Sequence, residues 1–200
     1  MQLHIPDTLS AERIKYEQIW EQDDYKKISP GDRFVPHFLR IVKPRAGDSI
    51  IDLGCGEGRA GLEFERKGLL VTWLDLVEEQ LDAAVDRKRF IKSMLWQDWD
   101  LNNRRGWDYG YCCDVIEHLH TEYVMLALER MTRACRTLWL QVGCREDTHG
   151  RAIGADLHLT VRDHVWWLER IASIATVTDA RDLCARSIFI VERRNARYHV

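Results

Sequence analysis

The chain has 200 residues, 46% hydrophobic and 30% charged, with a formal net charge of −3. That length suits one domain with a substantial core, and the composition is that of an ordinary globular protein. No apolar run approaches the roughly 18 residues of a membrane helix, and the charge balance gives no broad basic footprint for nucleic acid. The first residues, "MQLHIPDTLSAERIKYEQIW", lack a basic start followed by a long apolar stretch, so no secretory signal is expected. Cysteines at 55, 112, 113, 135, 144 and 184 form neither CxxC pairs nor a disulfide scaffold. Most sit in strand-like runs, which reads as reduced thiols in a cytoplasmic protein.

Taken in chain order, "RIKYEQIWEQDDYKKISPGDRFVPHFLRIV" comes first and reads as helical on either side of "SPG". Tyr16, Ile19 and Trp20 share one helical face, and Phe34, Phe38 and Ile41 repeat the pattern. Residues 1–45 are therefore expected to cap a domain formed by residues 46–200. Strand-like runs follow at 48–53, 69–76, 89–95, 107–113, 137–143, 173–179 and 187–193. Helical patterns fall between them in "GRAGLEFERKG", "EEQLDAAVDRK", "TEYVMLALERMTRAC" and "TVRDHVWWLERIAS". Near-continuous apolar strands separated by helices predict a mostly parallel, doubly wound α/β sheet with helices on both faces. The last two strands are joined only by "ARDLCAR", too short for a parallel crossover. The predicted fold is thus a Rossmann-like seven-stranded sheet ending in an antiparallel C-terminal hairpin.

Between the first strand and first helix lies "IIDLGCGEGRAG". Glycine permits a sharp turn and lets a ligand touch bare backbone, while the helix behind it presents free N–H groups. The spacing departs from the dinucleotide pattern GxGxxG: the third glycine, Gly58, comes one position early, and Arg59 stands where that pattern has glycine. Asp52 precedes the first glycine by two residues. A carboxylate there suits a ligand with a cationic amino group better than a pyrophosphate.

This stretch resembles the first motif of class I S-adenosylmethionine-dependent methyltransferases, and the resemblance runs roughly from Ser49 to Glu192. It implies S-adenosyl-L-methionine as cofactor and S-adenosyl-L-homocysteine as product. In that family the glycine turn, here Gly54, Cys55, Gly56 and Gly58, passes under the methionine portion. Asp75 matches the acidic residue that accepts hydrogen bonds from both ribose hydroxyls, and Leu76 would pack on the adenine. Asp98 matches the residue contacting the adenine amino group, with Asp100 as a competing choice and Trp99 supplying a backbone N–H or an aromatic wall. "WDYGYCCDVIEHL" resembles the fourth-strand motif of the small-molecule branch. There Cys113 or Asp114 would present backbone to the cofactor amino group, and Glu117 and His118 would line the transfer pocket.

Two regions are expected to select the acceptor. In relatives a segment like the N-terminal one packs over the cofactor as a lid, and Tyr25 and Arg33 are candidates to reach the methionine carboxylate. The second region is the polar loop of about fifteen residues after the fifth strand, longer than the usual connection. It carries Arg145, Glu146, Asp147, His149, Arg151, Asp156 and His158. In the helix behind it, Thr160 or Asp163 would be the cap. Val161, Val165, Leu168 and Ala172 would form its buried stripe, with Trp166 or Trp167 flanking the cleft.

The expected activity is methyl transfer to an O or N atom of a small-molecule acceptor. His118 and His158 are the candidate bases, because an imidazole titrates near working pH. The His and Asp spacings match no metal-ligand template, and no metal is expected. The fourth strand is not followed by the (N/D)-P-P-(Y/F) tetrapeptide of DNA amino-methyltransferases. Cys112 and Cys113 lack the Pro-Cys context of the cytosine-carbon enzymes. A nucleic-acid or protein acceptor is therefore a minor reading. The alternatives of other classes are a protein that binds the cofactor without methyl transfer and a nicotinamide oxidoreductase. Nothing in the sequence fixes the oligomeric state.

Overall fold

The structure, a computed structural model, describes residues 5–22, 25, 31–99 and 105–194. Its centre is a seven-stranded sheet in the order β3-β2-β1-β4-β5-β7-β6. The strands are β1 (Ser49–Leu53), β2 (Leu70–Asp75), β3 (Phe90–Lys92), β4 (Trp107–Cys113), β5 (Cys135–Gly143), β6 (Thr176–Asp182) and β7 (Arg186–Glu192). Strands β3, β2, β1, β4 and β5 pair in parallel. Strand β7 inserts antiparallel between β5 and β6, so the polar connection closes a hairpin at the edge.

Side chains alternate across each strand and meet helices on both faces. Ile50 packs with α2 (Val35–Val42) and α3 (Arg59–Arg66), burying Phe38 and Phe64 beside Trp73 and Trp139. Its neighbours Ile51 and Leu53 face the other way, against α4 (Thr121–Ala134) and α5 (His164–Ile174). Helix α1 (Ile5–Trp20) belongs to neither layer. Its Ile19 and Trp20 form a separate small cluster with Leu157, beyond the ends of the strands. All the cysteines are free thiols. Among the described residues no helix is long and apolar enough to cross a membrane.

Three expected features differ. Residues 78–88 form turns and a 3-10 turn at Arg87–Arg89 instead of a helix, although Leu81 and Val85 are buried at helical spacing. The aspartates are responsible: Asp82 Oδ1 accepts from the backbone N–H of Ala84, and Asp86 Oδ1 from that of Lys88. Such local bonds compete with the helical ladder. In the last helix the cap is Asp163, whose Oδ1 accepts from the N–H of Trp166 at 2.8 Å. The buried stripe is Trp167 and Ile171, while Val165 is exposed, because the larger tryptophan takes the core-facing position. Helix α5 also continues to Ile174, so β6 begins three residues later than the run 173–179 predicts.

Candidate active site

A cleft with about 1080 Å³ of empty space, the open solvent at its mouth included, lies at the carboxyl ends of β1, β2 and β4, beside the point where strand order reverses. Its floor is the turn after β1. Gly54 and Gly56 hold φ of 74° and 54°, left-handed values that favour glycine. A Cβ on Gly54 would fall 2.5 Å from the Val115 side chain, and one on Gly56 2.7 Å from the Trp20 indole. The bare backbone is thus required by the protein's own packing. Gly58, with φ 83°, caps α3 and lies behind the cleft, not on its wall.

Two carboxylates stand at the strand ends. Asp52 on β1 is buried and accepts one hydrogen bond from the backbone N–H of Gly61 at 3.0 Å. Burial, with a smaller push from Asp75, raises its pKa to about 7. Asp75 ends β2 and accepts from the N–H groups of Gly56 (2.8 Å) and Val77 (3.1 Å). Burial outweighs those donors and raises its pKa to about 6. Both line the cleft, as do Cys55 and Leu76.

The wall on the β3 side is Ser93–Leu95 with Trp96. Sequence reasoning placed this wall four residues further on, and the structure does not bring those residues to the cleft. Asp98 points into solvent, paired with Arg130. Trp99 is buried elsewhere, its indole N–H donating to the Leu95 carbonyl (2.9 Å) and its backbone N–H to that of Gln97 (3.0 Å). Asp100 lies outside the described residues. The available signal was position alone, since Ser93–Trp96 follow the end of the third strand at the ligand-binding edge.

At the end of β4 and just beyond it the cleft is lined by Cys113, Asp114, Val115 and His118. Cys113 donates its thiol to Gln141 Oε1 at 3.0 Å. Asp114 is held at φ 61°, and the chain then enters a 3-10 turn at Ile116–His118. His118 is buried, and its Nδ1 bonds the Tyr16 hydroxyl at 2.8 Å. Burial and the neighbouring His158 lower its pKa to about 3, so it is neutral at working pH and a weak base. Glu117 is wholly buried behind this wall, one oxygen accepting from the N–H of Gly143. Burial first, and the Asp114 carboxylate second, push its pKa well up. His158 stacks edge-on to His118 with ring centroids 4.7 Å apart, but does not reach the cleft; its Nδ1 bonds the Arg145 carbonyl at 2.6 Å.

The roof comes from α1 and from residues just beyond its end. Glu12, Tyr16, Trp20 and Tyr25 line the cleft, and Tyr25 packs edge-on to Trp20 at 5.0 Å. Gly31 and Asp32 add to it, whereas Arg33 is exposed and turned away. His149 is likewise exposed, in the 3-10 turn His149–Ile153, away from the cleft. Neither Trp166 nor Trp167 flanks it: Trp167 is core, and Trp166 lies under the Arg170 guanidinium at 3.4 Å. The roof residues Glu12, Tyr16 and Trp20 were missed as site residues, although the shared helical face of Tyr16 and Trp20 was readable.

The chain is similar to known proteins in sequence and in fold. Residues 50–137 match a family described as a methyltransferase domain. Over 105 residues the chain is 32% identical to the candidate methyltransferase YqeM of Bacillus subtilis (strain 168), covering 50% of this chain and 42% of that one. The chain spans less than half the length of the curated relatives it matches. The fold is also that of the Burkholderia thailandensis 1,6-didemethyltoxoflavin-N1-methyltransferase, solved with 1,6-didemethyltoxoflavin and S-adenosylhomocysteine. That likeness has a TM-score of 0.72 at 17% identity, covering 98% of this chain and 93% of that one. The N-methyltransferase NodS of Bradyrhizobium japonicum WM9, solved with S-adenosylhomocysteine, gives a TM-score of 0.66 at 15% identity over 92% of this chain and 98% of that one.

Proposed function

We propose that this chain, which carries a class I S-adenosylmethionine-dependent methyltransferase domain, transfers a methyl group to an O or N atom of a small acceptor. The observation that carries the reading is the pair of buried carboxylates, Asp52 and Asp75, at the head of the sheet. Both line the cleft, and in their ionised forms they favour a ligand that brings positive charge and oppose a pyrophosphate. The residues present fit S-adenosylmethionine, which when bound supplies a methyl group already activated on a cationic sulfur.

The chain's own task is then positioning and exclusion of water. Asp75 accepts from the Gly56 and Val77 N–H groups and faces the cleft, where its carboxylate would receive the ribose hydroxyls. Asp52 sits below the methionine end, and Leu76 with Ser93–Leu95 forms the adenine wall. Tyr16, Trp20 and Tyr25 roof the cleft as a lid contributed by the N-terminal cap. The acceptor would lie on the β4 side, against Asp114 and His118. His118, held neutral and fixed by the Tyr16 hydroxyl, forms part of that wall.

Calorimetry with S-adenosylmethionine, S-adenosylhomocysteine and NAD, joined to a methyl-release assay over an acceptor panel, tests this reading. Binding of both sulfur nucleosides with turnover of at least one acceptor supports it. Preferential NAD binding contradicts it, and tight binding of the homocysteine form without turnover on any acceptor points to a binding protein.

A further inference from the structure

Behind the acceptor side of the cleft, four side chains from two segments converge. One donor atom each from Asp114, Glu117, His118 and His158 lies within 4.8 Å of all the others. The convergence is built. Asp114 leaves β4 in the left-handed region, which a non-glycine residue adopts at a cost. The Glu117 carbonyl accepts the backbone N–H groups of both Leu159 and Thr160, each at 2.9 Å, and so draws His158 over the 3-10 turn. Strand β5 ends in Gly143 at this point, where a Cβ would lie 2.6 Å from Glu117 Oε1 and 2.8 Å from the His158 ring.

Inside this cluster two polar atoms on buried side chains have no hydrogen-bond partner: Glu117 Oε2 and His118 Nε2. An orphaned buried carboxylate oxygen or imidazole nitrogen has lost its water without a replacement partner, so a ligand that satisfies both is favoured. Both imidazoles are also oriented from behind. The Arg145 carbonyl can only accept, so neutral His158 carries its proton on Nδ1 and offers Nε2 as a bare lone pair. The Tyr16 hydroxyl bonds Nδ1 of His118, and when it accepts the Nδ1 proton it leaves Nε2 of that ring free as well. A ring nitrogen fixed by a carbonyl or hydroxyl while the other stays free is the usual support of a metal-binding histidine.

We propose that Asp114, Glu117, His118 and His158 bind one divalent cation. Two imidazoles with two carboxylates select a borderline transition ion such as Mn²⁺, Co²⁺ or Zn²⁺ over Ca²⁺ or Mg²⁺, which prefer all-oxygen shells. Asp114 and His118 line the cleft and Glu117 and His158 do not, so the ion is held from behind with its open coordination face toward the acceptor. The ligand that completes the shell is an oxygen, and the acceptor class is accordingly hydroxyl-bearing. This last step rests on the methyl-transfer reading; the ion site itself does not.

The test uses the full chain, stripped with a chelator and titrated with Co²⁺, following visible absorption, with S-adenosylhomocysteine calorimetry in parallel. One Co²⁺ per chain with a spectrum of nitrogen and oxygen ligation is expected. His158→Ala and Asp114→Asn, the latter tolerant of the left-handed backbone, should each weaken it at least ~10-fold. His149→Ala, an exposed histidine of the same loop, should leave it unchanged. Wild-type affinity no better than that of the His158→Ala and Asp114→Asn variants overturns the proposal. If S-adenosylhomocysteine binds and Co²⁺ does not, the ion site alone falls. If Co²⁺ binds and S-adenosylhomocysteine does not, the ion site stands and the methyl-transfer reading falls.

Discussion

The backbone N–H of Gly56 donates to Asp75 Oδ2 at 2.8 Å, joining the glycine turn after the first strand to the carboxylate ending the second. The residue assigned to the ribose is therefore also the one that pins the floor of the cleft. Asp75→Ala is expected to weaken S-adenosylhomocysteine binding by about 1.5–3 kcal/mol, the scale for hydrogen bonds to a charged group. Calorimetry checks this, with circular dichroism to establish that the fold survives. Unchanged affinity in a folded variant would mean that the ribose does not bind there.

Gly56→Ala probes the roof. Its φ of 54° costs an alanine roughly 1–2 kcal/mol, and its Cβ would meet the Trp20 ring. The variant should melt earlier than wild type. In a Trp20→Ala background the steric part should vanish and only the backbone part remain. An equal penalty in both backgrounds would show that α1 does not rest on the turn.

The pH dependence stems from Asp52, whose pKa is raised by burial from 3.8 to about 7. Its protonated form is the one the fold favours. The folded chain holds the extra proton between those values, so this group's contribution is fully present below the unfolded pKa and is lost as pH rises through about 7. Asp52→Asn removes the titration while keeping an oxygen for the Gly61 N–H. Its stability relative to wild type should therefore rise between about pH 4 and about pH 7 and level off above. Thermal melts of the two proteins across that range check it, and a constant difference would contradict it.

The hydroxyl of Tyr16 is the one described hydrogen bond from α1 to His118, at 2.8 Å. Tyr16→Phe should loosen the roof by about 0.5–1.5 kcal/mol, read as faster amide exchange in α1 with the sheet core unaffected. Equal loss of protection in α1 and the sheet would mean the helix is part of the global folding unit.

Much of this architecture was legible before any coordinates. Continuous apolar strands meant both sheet faces are covered, and Ile50 against Ile51 divides them as period two requires. The short polar connection before Arg186 excluded a parallel crossover, and β7 indeed inserts antiparallel. What failed was local competition and long-range pairing. Leu81 and Val85 mimic a helix face, but Asp82 and Asp86 capture the neighbouring N–H groups. Asp98 occupies a familiar position yet turns outward to Arg130, a partner more than thirty residues away that no local pattern reveals. The approach of His158 to Glu117 was hidden for the same reason. It depends on backbone bonds to Leu159 and Thr160 across 42 and 43 residues, so the spacing of the ligands along the chain carries no sign of it.

The central claim is that a sulfonium nucleoside lies over Gly54–Gly56 with its ribose on Asp75. A crystal structure of the full chain with S-adenosylhomocysteine tests it most directly. The account predicts both ribose hydroxyls within hydrogen-bonding distance of the Asp75 carboxylate, with the homocysteine sulfur facing Asp114 and His118. Nucleoside bound elsewhere, or a cleft filled by Trp20 and Tyr25 with the ligand excluded, would contradict it.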